Sequence, residues 1–150
     1  MQHKSRRFIL YIIPVVIMAF IFIQSSLPAD LSKEESSFFV DLICRWISAD
    51  EELVSFFVRK LAHFSEYLLL GASLMAAVKQ AMRQAPERTA PRPLLPSWLL
   101  SWLIGAAYAV SDEIHQHFVP GRAMQARDVL IDTAGVLLGI WIARGIIRRY

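Results

Sequence analysis

The chain has 150 residues, 55% of them hydrophobic, with a mean hydropathy of +0.42 and a formal net charge of +3. That length holds one helical bundle rather than two domains, and an apolar share above the ~45–50% of soluble domains points to a membrane. The single cysteine, Cys44, excludes an intrachain disulfide, and the small positive charge, divided by position, follows membrane topology rather than nucleic-acid binding.

The N-terminus reads His3-Lys4-Ser5-Arg6-Arg7 and leads into an unbroken apolar run from Phe8 to Ile23, which Gln24 to Leu27 extend toward full bilayer thickness. A basic start before an apolar core also suits a cleaved signal peptide. The run exceeds the usual ~7–15 residues of such a core and no A-x-A-like site follows it, so a retained anchor is expected. Next comes a stretch whose Phe38, Phe39, Leu42, Ile43, Trp46 and Ile47 share one half of a helix, with Asp41 and Arg45 on the other. Residues 36–47 are therefore predicted to form a short interfacial helix or a cap on the mouth of the bundle. Ser48 and Glu51 have capping-box spacing ahead of a second span, about 53–78. Pro91, Pro93 and Pro96 close the following loop before a third span, about 97–118, and the turn at Pro120-Gly121 precedes a fourth, about 128–147.

Charge outside the spans separates into two populations. Lys4, Arg6 and Arg7, then Lys79, Arg83, Arg88 and Arg92 against Glu87, then Arg144, Arg148 and Arg149 are all strongly basic segments. The connection after the first span carries Lys33 and Arg45 against seven acidic residues, Asp30, Glu34, Glu35, Asp41, Asp50, Glu51 and Glu52. The excess of Lys and Arg marks the first three as cytoplasmic. The predicted architecture is thus an all-α membrane protein of one domain over 1–150, four transmembrane helices plus an outer interfacial helix, with both termini cytoplasmic.

Ionisable groups lie within these apolar spans, where each costs roughly 2.5–3.5 kcal/mol at the centre by insertion scales. On the second span Arg59, Lys60, His63, Glu66 and Tyr67 share an arc of about 120° at 100° per residue. On the third, Ser101, Gly105, Tyr108, Asp112, His115 and Gln116 form a comparable stripe, with Glu113 beside it; on the fourth, Asp128, Asp132, Gly135 and Gly139 fall within about 60°. With the predicted topology all three sets reach the outer leaflet, joined by Arg122 from the turn. Buried ion pairs that hold helices together explain such residues singly. Two histidines, several carboxylates and several cations at one depth exceed what four short helices need, and point to a polar chamber.

The strings Gln24-Ser25-Ser26-Leu27-Pro28, Arg59-Lys60-Leu-Ala-His63-Phe64-Ser-Glu66-Tyr67 with Gly71, Tyr108-Ala-Val-Ser111-Asp112-Glu113-Ile-His115-Gln116-His-Phe118-Val-Pro120-Gly121-Arg122, and Asp128-Val-Leu-Ile-Asp132-Thr-Ala-Gly135 together resemble the VanZ-like family along nearly the whole chain. The resemblance implies a small, multi-pass protein of the bacterial cytoplasmic (inner) membrane. The family's namesake is associated with low-level resistance to teicoplanin, a glycopeptide that targets cell-wall precursors. The departure from the pattern is a longer basic, Pro-rich loop, Lys79 to Pro96.

Two functional classes follow from the residues themselves. In the first, the chamber binds an anionic lipid headgroup or a lipid-linked wall precursor: Arg59, Lys60 and Arg122 contact phosphate, and His63, Glu66, Tyr67, Tyr108, Asp112, Glu113, His115, Gln116, Asp128 and Asp132 orient them or bind sugar and amine groups. In the second, His63 and His115 with Glu66, Asp112, Glu113, Asp128 or Asp132 serve as acid, base or ligands of a divalent metal in a hydrolase or transferase acting on a lipid headgroup, with His63, Glu66, Asp112 and His115 as the catalytic candidates. His-x-x-Glu and Asp-x-x-His put both side chains of a pair on one helix face, but neither is a specific metal signature, so no metal is assigned. A transporter is the third reading, and four helices without an inverted repeat argue against it in a monomer. Membrane lipid or a lipid-linked precursor is the expected partner, nucleic acid is not, and the oligomeric state is not encoded in these motifs.

Overall fold

A computed structural model describes residues 2–47, 49–84 and 94–149. Within them lie five helices: α1 (Gln2–Ser25), α2 (Ala29–Cys44), α3 (Glu51–Gln84), α4 (Ser97–Gln116) and α5 (Ala126–Arg149). Ser48, of the capping-box expectation, and the core of the basic loop, 85–93, fall outside the described residues.

Three helices, α1, α3 and α5, are long and apolar enough to cross a membrane. Their surfaces say the same. Only 17% of the Phe8–Ser25 window is buried against the rest of the protein, leaving Phe8, Val15, Val16, Phe20, Phe22 and Ile23 exposed. Apolar surface on that scale is a liability in water and ordinary in lipid. Helix α4 has 20 residues, ~30 Å at 1.5 Å per residue and so long enough, but Asp112 and Glu113 interrupt its apolar run near the C-terminal end.

The bundle is organised around α3, which packs against all four other helices, most extensively against α5. The α5 residues buried in that interface are Asp128, Asp132, Gly135, Val136, Gly139, Ile140 and Ala143, a stripe at steps of three and four. Glycine makes the approach close. A Cβ on Gly135 would lie 2.7 Å from the Phe64 carbonyl oxygen, and Cβ atoms on Gly71 and Gly139 would overlap the backbones of Val136 and Leu68. Such small-residue seams replace the missing hydrophobic drive between helices in lipid. Around this seam the core is Ile21, Tyr67, Leu70, Leu74, Met75, Ala109, Val136, Ile140 and Ala143.

The predicted boundaries shift in two places. Helix α3 has 34 residues and starts at Glu51, so at ~1.5 Å per residue it overshoots a ~30 Å hydrocarbon layer at its ends. Helix α2 begins seven residues before the predicted position 36 and ends at Cys44, leaving Trp46 and Ile47 in the turn beyond. Pro28, at φ −51° and ψ 153°, ends the preceding segment and starts α2 directly, with Asp30 favourably placed in its first turn. Ser36 and Val40 are the buried residues of α2, while Phe38, Phe39 and Leu42 remain exposed. Its aromatic face therefore turns away from the bundle.

Helix α1 is bound into this structure by side chains and not merely adjacent to it. Ser25 donates to Asp112, Tyr108 donates to the Met18 carbonyl at 2.6 Å, and Arg122 donates to the Leu27 and Gln24 carbonyls at 2.9 and 3.3 Å. A segment held in this way is part of the packed bundle.

Candidate functional site

One end of the bundle, where α3 and α5 begin and α4 ends, encloses a cavity of about 250 Å³. Four α3 residues line it at helical spacing, Phe56, Arg59, Lys60 and His63; α5 contributes Asp128, Ile131 and Asp132; α4 and the turn after it contribute Glu113, Gln116, Gly121, Arg122, Ala123 and Gln125; Ala29 and Ser32 come from α2. The turn is shaped by Gly121 at φ +76°, a left-handed conformation that favours glycine. It is tied to the start of α2 by the Ala29 N–H donating to the Pro120 carbonyl.

Charge in this cavity is unevenly paired. Lys60 donates to Asp128, an ion pair whose lysine side chain keeps 27% of its surface exposed. The other Asp128 oxygen, Oδ1, is buried without a hydrogen bond; Arg127 Nε stands 3.9 Å away, beyond hydrogen-bonding reach. Arg59 donates weakly to the Ser55 carbonyl at 3.5 Å, and Arg122 gives part of its fork to Leu27 and Gln24. Among the described residues neither guanidinium has a carboxylate within ion-pair distance. They are nevertheless near each other. Burial, and next the positive field of Arg59, pull the Arg122 pKa below its ordinary value, against partial support from Asp112, Glu113 and Glu35. An arginine stays charged through such a shift, so two partly buried like charges face one cavity.

Behind the cavity lies a polar network joining α1 to α4. Asp112 is 3% exposed and accepts Ser25 Oγ at 2.9 Å and Gln116 Nε2 at 3.1 Å, and Gln116 also reaches Ser25 Oγ at 3.2 Å. The remaining Asp112 oxygen, the Tyr67 hydroxyl and Glu66 Oε2 are buried without partners. Glu113 is 1% exposed and accepts the Gln125 N–H, fixing the residue just before α5.

Of the residues the sequence proposes as ligand-binding, Arg59, Lys60, His63, Glu113, Gln116, Arg122, Asp128 and Asp132 line the cavity. Glu66 and Tyr67 sit one turn deeper on α3, Tyr108 bonds to α1, and Asp112 is enclosed in the network above. His115 faces elsewhere: its Nε2 meets Ser26 Oγ at 3.1 Å, and its ring stacks on Phe22 at 4.5 Å. The reason is angular. At 100° per residue His115 falls about 60° to one side of Asp112, while Gln116 and Glu113 fall about 40° and 100° to the other.

The four residues considered for catalysis, His63, Glu66, Asp112 and His115, are therefore not assembled on one surface, since His63 alone among them lines the cavity. Among the described residues no set of three or more His, Cys, Asp or Glu side chains is arranged to hold a metal ion.

Some lining residues were not singled out from the sequence. Phe56, over whose ring stand Lys60 Nζ at 5.6 Å and Arg127 at 5.2 Å, lies within the polar arc of α3, but its apolar character hid it. Ser25 and Ser26 belong to a quoted motif, yet their partners, 87 and 89 residues away, become visible only in the fold.

Comparisons with known proteins bear on this arrangement. No curated protein and no solved structure matches the chain. Residues 8–148 match the family described as VanZ/LLP1, a span that takes in α1, the α3 arc, the α4–α5 turn and the glycine seam. An integral membrane character and these motifs in one fold agree with that match, and the chain belongs to the VanZ/LLP1 family.

Proposed function

We propose that this is a cell-envelope membrane protein whose cavity holds the phosphate of an anionic lipid headgroup or of a lipid-linked wall precursor. The observation that carries the reading is the pair of guanidiniums, Arg59 and Arg122, that line one cavity with Lys60 and His63 and have no carboxylate partner among the described residues. Removing two such charges from water without an anion is costly, and a phosphate accepting their forked N–H groups offsets it.

Size narrows the ligand. A volume of about 250 Å³ holds roughly eight waters at ~30 Å³ each and lies below the ~300–1,000 Å³ of sites for drug-sized ligands. A phosphate with a small substituent fits. A disaccharide bearing a peptide does not, so a wall precursor would insert only its phosphate end.

In this reading α1, α3, α4 and α5 all cross the bacterial cytoplasmic membrane, with both termini and the basic loop on the cytoplasmic side. The acidic connection and the cavity then lie at the outer leaflet, and the exposed Phe38, Phe39 and Leu42 of α2 rest in its interface. The polar residues of α4 are compatible with a span because Asp112, Glu113 and Gln116 are buried and face the bundle and not lipid. Such a position, beside outer-leaflet lipids and wall precursors, suits the namesake's link to glycopeptide resistance.

The test is calorimetric titration of the detergent-purified protein with dioctanoyl phosphatidic acid. Saturable binding at one site, weakened roughly tenfold or more by Arg59→Gln, supports the reading; absence of binding, or binding indifferent to Arg59, refutes it. A hydrolase or transferase reading keeps His63, Glu113, Asp128 and Asp132 at the cavity wall, but among the described residues no three such side chains are arranged to hold a metal ion.

A further inference from the structure

The cavity is not uniformly basic. Its guanidiniums come from Arg59 and from Arg122 in the turn, while α5 presents Asp128 and Asp132, which are 8% and 4% exposed. Lys60 neutralises one oxygen of Asp128, and the other, Oδ1, is buried without a hydrogen bond, with Arg127 Nε 3.9 Å away. No lysine or arginine pairs with Asp132 among the described residues. The charges are also ordered by depth. Asp132 lies one turn further along α5 than Asp128, and His63 one turn further along α3 than Arg59, about 5–6 Å at ~1.5 Å per residue. Arg59 stands at the mouth, since it also lines the neighbouring open cavity between α2 and the start of α3.

A purely anionic ligand satisfies half of this arrangement and leaves buried carboxylates facing its uncharged part. A quaternary ammonium lacks N–H donors for a carboxylate and is held by aromatic cages; among the described residues the one benzene ring on this cavity's wall, that of Phe56, is already covered by Lys60 and Arg127. A primary ammonium joined to phosphate by a short linker meets both poles, and its size suits the volume.

We propose that the ligand is a zwitterionic phosphoamine, a lipid headgroup of the phosphoethanolamine type, with its phosphate on Arg59 and Arg122 at the mouth and its primary ammonium one turn deeper between Asp128 and Asp132. This rests on the phosphate-binding reading above and adds the identity of the second charged group. The acyl chains leave by the mouth, beside the guanidiniums, because phosphate lies between ammonium and tails in such a lipid.

The test measures binding of dioctanoyl phosphatidylethanolamine, phosphatidylglycerol and phosphatidylcholine, and of free O-phosphoethanolamine, to the detergent-purified full chain and to Asp132→Asn. The expected result is a preference of roughly tenfold or more for phosphatidylethanolamine over the other two lipids, with Asp132→Asn abolishing the preference while phosphatidylglycerol binding is kept or improved. Free phosphoethanolamine binding as tightly as the lipid would confirm the chemistry and assign its source to a soluble compound. Equal binding of phosphatidylethanolamine and phosphatidylglycerol, still sensitive to Arg59→Gln, would overturn the zwitterion proposal and leave the phosphate site standing. Failure of every phosphate-bearing probe would remove both. If Asp132→Asn does not fold, the selectivity of the unmodified protein decides.

Discussion

Adding one methyl group to Gly135 tests the seam that holds the cavity's two main walls together. Its Cβ would lie 2.7 Å from the Phe64 carbonyl oxygen and 3.3 Å from Tyr67 Cβ. Ordinary contact begins near 3.4 Å, so α5 must retreat from α3 by roughly 0.7 Å, and a gap of 0.5–1 Å forfeits a quarter to a half of each dispersion contact along the seam. Because a carbonyl oxygen in a helix cannot rotate aside, overpacking should cost about 1–3 kcal/mol, and Gly139→Ala, directed at the Leu68 backbone, should cost more. Gly145→Ala is the control: among the described residues nothing lies within 4 Å of its added carbon, and helix propensity favours alanine by about 0.5–1 kcal/mol. Thermal unfolding followed by circular dichroism in a fixed detergent should rank the proteins Gly145→Ala at or above the unmodified chain, then Gly135→Ala, then Gly139→Ala. Equal midpoints for all three would refute the close packing of α3 on α5, and with it the placing of Lys60 opposite Asp128.

Other perturbations probe the polar side. Lys60→Met should lower stability by about 1–3 kcal/mol, less than the ~3–5 of a fully buried pair because Lys60 is partly exposed, and Lys60→Met/Asp128→Leu should recover most of it; a double variant no better than the single would show that the pair is not isolated. Ser25→Ala leaves the enclosed Asp112 with one donor fewer and should cost about 1–2 kcal/mol, with strong non-additivity when combined with Gln116→Leu in a denaturation cycle. Arg122→Lys should lower the unfolding midpoint as well as weaken phosphate binding, since a lysine cannot reproduce the fork that reaches both Leu27 and Gln24; an unchanged midpoint would free Arg122 from its anchoring role. For topology, a cysteine at Lys33 should react with a membrane-impermeant thiol reagent on intact spheroplasts and one at Arg83 should not, both in a Cys44→Ser background; the reverse pattern would contradict the orientation.

Helix positions and the facing of α5 were legible in the sequence because apolar runs and a stripe of Asp128, Asp132, Gly135 and Gly139 at helical spacing depend on local geometry alone. The convergence of Arg59, Lys60 and His63 with Asp128 and Asp132 was legible for the same reason, once the second and fourth spans were taken to enter the membrane from the same side. The partner of a side chain at the edge of a stripe was not. His115 and Gln116 are adjacent in sequence and about 100° apart on α4, so which of them faces the cavity depends on where α1 packs. The acceptors of Arg122 were not legible because they are backbone carbonyls at and just beyond the end of α1, 95 and 98 residues away, and a carbonyl carries no sequence signature. The early start of α2 was hidden by the polar run Ser32 to Ser37, which has helix-compatible lysine and glutamates but no apolar period.

Native mass spectrometry of the purified protein tests the central claim most directly, by reading which lipid stays bound as detergent is stripped away. The account predicts one phospholipid per chain, retained by the unmodified protein and lost from Arg59→Gln at an unchanged unfolding midpoint. A chain that sheds all phospholipid as readily as Arg59→Gln does, or an Arg59→Gln variant that retains it equally well, would contradict a phosphate site in this cavity.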